Sequence, residues 1–288
     1  MQKGKIGVIG GSGLYAMSRL ENVQEVQVET PFGTPSDVYI TGTLQGRDMV
    51  FLPRHGRGHR IAPSALNFRA NIYGFKQLGV EWVLSVSAVG SMREDIHPGD
   101  LVLPDQFFDR TRSRISTFFD RDVVVHVAFA DPVCSVLARA VHEAAAQTSA
   151  TVHFGGTYLC IEGPQFSTRA ESNIYRQWGV DVIGMTNLPE ARLAREAELC
   201  YATLALATDY DCWHESASDV DIKAILELLH RNVELAQEVI ERTAPRVPPT
   251  RSCPCSTALQ QAIITAPEMI PDAAKERLGL LIGPYLQG

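Results

Sequence analysis

Ile6-Gly7-Val8-Ile9-Gly10-Gly11-Ser12-Gly13-Leu14 reads as an apolar strand running into a glycine turn. Glycines let a backbone turn its N–H groups toward an anion, and the Ser12 hydroxyl adds a donor. Gly11-x-Gly13-x-x-Ala16 also loosely matches the dinucleotide fingerprint. That fingerprint needs a helix next, then a strand ending in an acidic residue about 20 positions on. The stretch 21–30 instead looks like a second strand, with no clean helix before it. The turn is therefore read first as an anion cradle, with dinucleotide binding as the weaker alternative.

Outward from this turn, short apolar β-branched runs recur at 38–40, 49–52, 82–86, 101–103, 123–127, 180–183 and 202–207. Most are bounded by Gly, Pro, Asp or Asn, as buried strands should be. Helical periodicity marks 62–78, 132–147, 169–178, 189–199 and 219–242. The alternation predicts an α/β fold around a mixed sheet. The early strands, with little helix between them, argue against a purely doubly wound parallel sheet. Pro245-Arg246-Val247-Pro248-Pro249 marks a break. Residues 1–244 are expected to form the catalytic domain. Residues 245–288, with short helices at 257–266 and 272–278, are expected to pack on it, because about 40 residues rarely fold alone.

The chain has 288 residues, of which 45% are hydrophobic and 20% charged, with a net charge of -7. Those proportions describe an ordinary globular protein. No long basic block is present, which disfavours a nucleic-acid partner. The apolar runs are far shorter than a bilayer span, so no membrane partner is expected. The N-terminal residues lack a cationic segment followed by an apolar one, and a cytoplasmic location is expected. Of six cysteines, Cys134, Cys160, Cys200 and Cys212 lie in apolar stretches and read as small buried thiols. Cys253-Pro254-Cys255 lies in a polar stretch. It reads as a strained redox pair or part of a disulfide clamp, and is too sparse for a zinc site without two further ligands.

Two more segments suit an anion. Pro53-Arg54-His55-Gly56 ends the strand at 49–52, where Arg54 can fork onto phosphate oxygens. Ser85-Val86-Ser87-Ala88-Val89-Gly90-Ser91 opens from a buried strand into a small-residue turn at the carboxyl end of a sheet, where α/β ligands bind. A different chemistry is written in Ala207-Thr208-Asp209-Tyr210-Asp211. Two carboxylates two apart on a strand face one side, and like charges that close raise the pKa of one of them. A retained proton suits departure of a purine, whose N7 then takes a hydrogen bond from the acid. Gln165-Phe166-Ser167 offers an aromatic face and a hydroxyl.

Together these stretches resemble the trimeric purine nucleoside phosphorylase family, in particular its members acting on S-methyl-5'-thioadenosine. The matching segments are Gly10–Leu14, Thr30–Gly33, Arg54–Gly56, Asn67–Ile72, Ala88–Gly99, Ile161–Ser172, Met185-Thr186 and Ala207–Trp213, in continuous order. The resemblance implies a single-domain α/β fold with a central mixed, partly barrel-like sheet flanked by helices. It implies a phosphate site of Ser12, Arg54, His55, Ser87, Ala88 and Thr186. Met185 is implied against the ribose, Phe166 and Ser167 in the base pocket, and Asp209 and Asp211 as the purine-reading pair. His126 is implied to reach the 5' end of the substrate across a trimer interface, and Ile222, Ile225 and Leu226 to form the methylthio pocket. Asp at 209, rather than the Asn of 6-oxopurine enzymes, favours adenine.

The departures from the family are Ser at 12 and 87 for a commoner Thr, Val89 for Cys and Gly184 for Asn. The Cys253-Pro254-Cys255 element also resembles one in some heat-stable members, which implies pairing with Cys200 or Cys134. The expected reaction releases adenine and S-methyl-5-thio-α-D-ribose 1-phosphate, a step in purine and methionine salvage. It needs inorganic phosphate as co-substrate and no metal or organic cofactor. A homotrimer, or a dimer of trimers, is expected. The alternatives are a broader adenosine or 6-oxopurine phosphorylase, a non-catalytic adenine-nucleoside sensor, and the dinucleotide-dependent oxidoreductase.

Overall fold

The computed structural model describes residues 3–11, 13–214 and 222–286, except for the side chains of 222–230. The first strands are β1 (Lys5–Gly10), β2 (Glu21–Val26), β3 (Tyr39–Leu44), β4 (Arg47–Pro53) and β5 (Val80–Ser91). Then come β6 (Leu101–Leu103), β7 (Gln106–Asp109), β8 (Val152–Phe154), β9 (Thr157–Cys160), β10 (Val182–Gly184) and β11 (Cys200–Asp209). The helices are α1 (Phe68–Gln77), α2 (Ser135–Ala145), α3 (Arg169–Gln177), α4 (Asn187–Glu196), α5 (Ile222–Thr243) and α6 (Asp272–Leu286). All these strands join one mixed sheet.

The sheet branches at β5, and the branch makes the site. On one edge, parallel β1 pairs with β5 only as far as Ile9↔Ser85. Antiparallel β10 joins β5 at Ile183↔Gly90 and Val182↔Ser91. Between them, residues 86–89 keep partners only on the opposite edge, where β11 runs alongside. A gap between two strands that diverge from a third leaves backbone groups facing a cavity rather than a neighbour. Beyond β11 the sheet continues through β6 to β8, and beyond β10 through β9 to β7.

Two apolar layers hold the sheet. One gathers Tyr39, Phe75, Phe118, Tyr158 and Tyr201 with α1 and α4, the other Trp82, Leu84 and Leu204 with α2 and the end of α5. α1 begins later than its periodicity suggested. Pro63 enters a 3-10 turn, and the Asn67 side chain accepts from Ala70 N to start the helix. The strand expected at 123–127 is reduced to a single bridge, Val125↔Ile263. The helix expected at 257–266 is absent, because Ile263 is drawn out to make that bridge, leaving only a 3-10 turn at Pro254–Thr257. α6 runs on past Leu278 to Leu286. Strands β7, β8 and β9 are three or four residues long, too short to show alternation in the sequence.

The residues after the Pro-rich break share the main core. Leu259, Leu278 and Ile282 join the first layer, and Val247 and Cys255 the second. Among the described residues, no helix is long and apolar enough to cross a membrane.

Candidate active site

A cavity of about 650 Å³ opens at the gap in β5, a size that suits a nucleoside-sized ligand. Gly10, Gly11 and Gly13 line it where Gly10 approaches Val86, and Asp209 and Asp211 line it where they approach Gly90, at the other end of the open stretch of β5. Ser87 and Ala88 lie between them, on the unpaired edge of β5. Phe166, Ser167, Met185 and Thr186 complete the walls. Segments far apart in sequence converge here because the strands that carry them meet at the branch: Gly10 ends β1, Ser87 and Ala88 lie in β5, Met185 and Thr186 follow β10, and Asp209 ends β11.

Ser12 lies outside the described residues, though its glycine neighbours line the cavity. Arg54 follows β4 and is buried at 2% exposure. One edge of its fork is engaged inside the protein, while the residue also lines the cavity. Nε and Nη2 donate to the two carboxylate oxygens of Glu190, at 2.9 and 3.1 Å. Nη1 donates to Val86 O at 2.9 Å, and Nη2 also reaches Ser85 Oγ at 2.7 Å. The reason is desolvation: a buried guanidinium needs a counterion within the protein, and fully buried Glu190 supplies it. One Nη1 hydrogen and the cation's field remain for the cavity. Tyr201 also donates to Glu190, at 2.8 Å.

His55 Nδ1 lies 2.8 Å from Ile61 O. A carbonyl only accepts, so Nδ1 carries the hydrogen and Nε2 keeps a lone pair. Burial, reinforced by the Arg54 charge, pushes the His55 pKa down to about 4. His55 is thus a neutral acceptor, not a second cation. Its ring stacks on His59 at 4.3 Å.

Ser87 Oγ lies 3.1 Å from Thr186 Oγ1 and 3.2 Å from the Tyr158 hydroxyl. Tyr158 explains Gly184. A Cβ built at Gly184 would stand 2.0 Å from the Tyr158 hydroxyl, so the phenol occupies the space a larger residue would need.

Asp209 ends β11 beside a register shift, opposite Gly90. Asp211 does not follow it along a strand. It sits in a 3-10 turn with φ 51°, a left-handed conformation, so the two carboxyls converge through a backbone turn rather than strand alternation. Burial is the main cause that raises both pKa values, and the Asp209 charge is only a lesser contributor at Asp211. Asp209 Oδ1 accepts from Asp211 N at 2.7 Å, and Oδ2 lies 2.7 Å from Thr208 Oγ1. The same Thr208 oxygen lies 3.1 Å from Val89 O. Its single hydrogen can serve either acceptor. When it goes to Val89 O, the Thr208 oxygen accepts from a protonated Asp209. Ser172 donates to Asp211 Oδ2 at 2.6 Å, from a helix whose start is fixed by the Thr168–Glu171 capping box.

Met185 is held from behind. Arg114 Nη1 donates to Met185 O at 2.7 Å and Leu188 O at 2.6 Å, while Nη2 reaches Glu162 O at 2.7 Å. One buried cation thus ties two walls together. Ser167 Oγ is buried and has no hydrogen-bond partner among the described residues. His126 does not line the cavity of its own chain, and its N–H donates to Ala262 O at 2.9 Å. The backbone of Ile222, Ile225 and Leu226 is helical, in α5, and their side chains lie outside the description. The sequence reading missed Glu190, Tyr158, Arg114, Thr208 and Ser172. A glutamate inside an otherwise apolar helix face, Glu190 in α4, was the one available signal.

Anion donors at one end of a cavity and carboxyls whose pKa burial raises at the other suit a phosphorylase-type site. The chain belongs to the phosphorylase superfamily, whose family model matches residues 5–245. It is 60% identical over 282 residues to the S-methyl-5'-thioadenosine phosphorylase of Geobacter sulfurreducens, covering 98% of this chain and 99% of that one. It is 57% identical to that of Koribacter versatilis, with 98% and 96% covered. Among solved structures, a methylthioadenosine phosphorylase from an antarctic soil metagenomic library superposes with TM-score 0.92 at 48% identity, with 98% and 99% covered. The Schistosoma mansoni methylthioadenosine phosphorylase in complex with adenine gives 0.84 at 35% identity, with 93% and 98% covered.

Proposed function

We infer that this chain cleaves S-methyl-5'-thioadenosine with inorganic phosphate, releasing adenine and S-methyl-5-thio-α-D-ribose 1-phosphate. The observation that carries the assignment of ends is Asp209. It is a carboxyl whose pKa is raised by burial, at the end of the cavity opposite the glycine turn. Phosphate lies against Gly11, Ser87, Ala88 and Thr186, within the field of Arg54. Neutral His55 accepts from the hydroxyl of monohydrogen phosphate, which leaves the other oxygens free to attack. The C1'–N9 bond stretches, the sugar becomes oxocarbenium-like, and phosphate adds to C1' from the opposite face. Alignment of the two reactants supplies much of the rate. Asp209 donates to N7 as electrons move into the base, and Asp211 accepts from the exocyclic amine.

Met185 packs on the ribose, and Phe166 and Ser167 bound the base. The apolar pocket proposed for the methylthio group is that of Ile222, Ile225 and Leu226, whose side chains lie outside the described residues. His126 completes the 5' end from a neighbouring subunit of a homotrimer, a reading supported by its position away from its own chain's cavity. The proposed chemistry uses phosphate as co-substrate and draws on no cofactor.

The test is release of free base from S-methyl-5'-thioadenosine, adenosine and inosine, each with and without phosphate. Phosphate-dependent release, fastest from the methylthio substrate, is expected. Release without phosphate would make the chain a hydrolase, and preference for inosine would overturn the roles given to Asp209 and Asp211.

A further inference from the structure

We propose that Cys134, Cys200, Cys253 and Cys255 form a four-thiolate site for a zinc-type divalent ion, which clamps the C-terminal extension to the catalytic core. Their Sγ atoms all lie within 4.8 Å of one another. Cys253 Sγ is 3.2 Å from Cys200 Sγ and 3.6 Å from Cys134 Sγ. Tetrahedral zinc with Zn–S bonds of about 2.3 Å places its sulfurs about 3.8 Å apart. The observed cluster brackets that spacing. The two further ligands that Cys253-Pro254-Cys255 needs are therefore supplied by the fold.

Three separate segments deliver the thiols. Cys134 is the N-cap of α2, Cys200 opens β11, and Cys253 and Cys255 flank Pro254. Buried cysteines acting as small hydrophobes have no reason to converge sulfur to sulfur. Thiolates in a tetrahedral S4 set select zinc or iron, and zinc accepts that geometry without redox chemistry. Cys134, Cys200 and Cys255 are 2%, 0% and 4% exposed. Four protein ligands leave no open position, so the ion would be structural. None of the four lines the catalytic cavity.

Binding breaks four S–H bonds, forms four Zn–S bonds, releases four protons and leaves a net charge of 2− on the cluster. The N-terminus of α2 offsets part of it. Its first turn has no side-chain cap and no acidic residue, so its N–H groups are available to the thiolates. The clamp sits where the extension docks. Leu259 N and the Tyr285 hydroxyl both donate to Glu198 Oε1, at 3.0 and 2.6 Å, next to the start of β11.

The experiment is metal analysis of the full chain purified under reducing, chelator-free conditions, followed by loading of the stripped protein with cobalt(II). Stoichiometric zinc is expected, released as a mercurial titrates the thiols, and cobalt should show tetrahedral thiolate absorption. The Cys253→Ser/Cys255→Ser variant should lose zinc and the cobalt spectrum while turnover stays unchanged, with Tm lowered by more than about 5 °C. Absence of both zinc and the cobalt spectrum in the reduced wild type would overturn the proposal. So would an intact mass two hydrogens lower per sulfur pair, which would show disulfides instead. If the double variant fails to fold, the wild-type zinc content and cobalt spectrum still decide.

Discussion

Replacing Glu190 with alanine should cost more than any other single change in the polar layer beneath the phosphate end. The Arg54 and Glu190 side chains are 3% and 0% exposed. Removing the carboxylate leaves a guanidinium buried without a counterion, which costs about 3–5 kcal/mol. The Tyr201 hydroxyl loses its acceptor as well, adding about 1–3 kcal/mol. Against a usual total of about 5–15 kcal/mol, the variant should be marginal, with a Tm lower by roughly 10 °C or more. Arg54→Met/Glu190→Leu removes both charges together and should recover at least about 2 kcal/mol relative to Glu190→Ala. Recovery is incomplete because Val86 O loses its donor. Thermal and urea unfolding measure these differences. In turnover, both variants should lose about 10²-fold or more in kcat/KM for phosphate, the scale set by removing one preorganised donor. Two results would refute the reasoning: a Glu190→Ala Tm near wild type, or a double variant no more stable than the single one. A double variant that is stable and also active would show that Arg54 serves the fold alone.

Three other perturbations probe the site and its frame. Asp209→Asn should lower kcat by about 10²–10⁴-fold and shift preference toward 6-oxopurine nucleosides; unchanged base preference would count against the acid role. Glu196 is buried and its pKa is raised to about 7, from an unfolded value near 4.5. The folded protein therefore binds the extra proton. The stabilisation is complete below pH about 4.5, is lost as pH rises through 7, and amounts to about 3 kcal/mol. Glu196→Gln should flatten that slope in unfolding measured across pH 5 to 8. Gly184→Ala should displace the Tyr158 hydroxyl, disturbing its contact with Ser87. A cost of about 1–3 kcal/mol in stability and a fall in kcat/KM are expected, and wild-type values of both would sink this account of Gly184.

The sequence by itself carried the mixed α/β class, most of the longer strands and helices, and the segments that wall the cavity. Those signals are local. Apolar β-branched runs announce buried strands, and Gly10-Gly11-Ser12-Gly13 announces a turn whatever surrounds it. The sequence also held the aspartates at 209 and 211, but strand periodicity misjudged how they meet, because Asp211 adopts a left-handed turn and its carboxylate is held by Ser172 from a distant helix. What only the tertiary structure decided is partnership at a distance. No local pattern points from residue 54 to residue 190, so the ion pair of Arg54 with Glu190 is invisible in the sequence. The same holds for Tyr158 filling the space at Gly184 and for Ile263 drawn from a helix to pair with Val125. A buried charge or thiol takes its character from whatever group the fold brings within about 4 Å, and chain folding sets that distance, not sequence spacing.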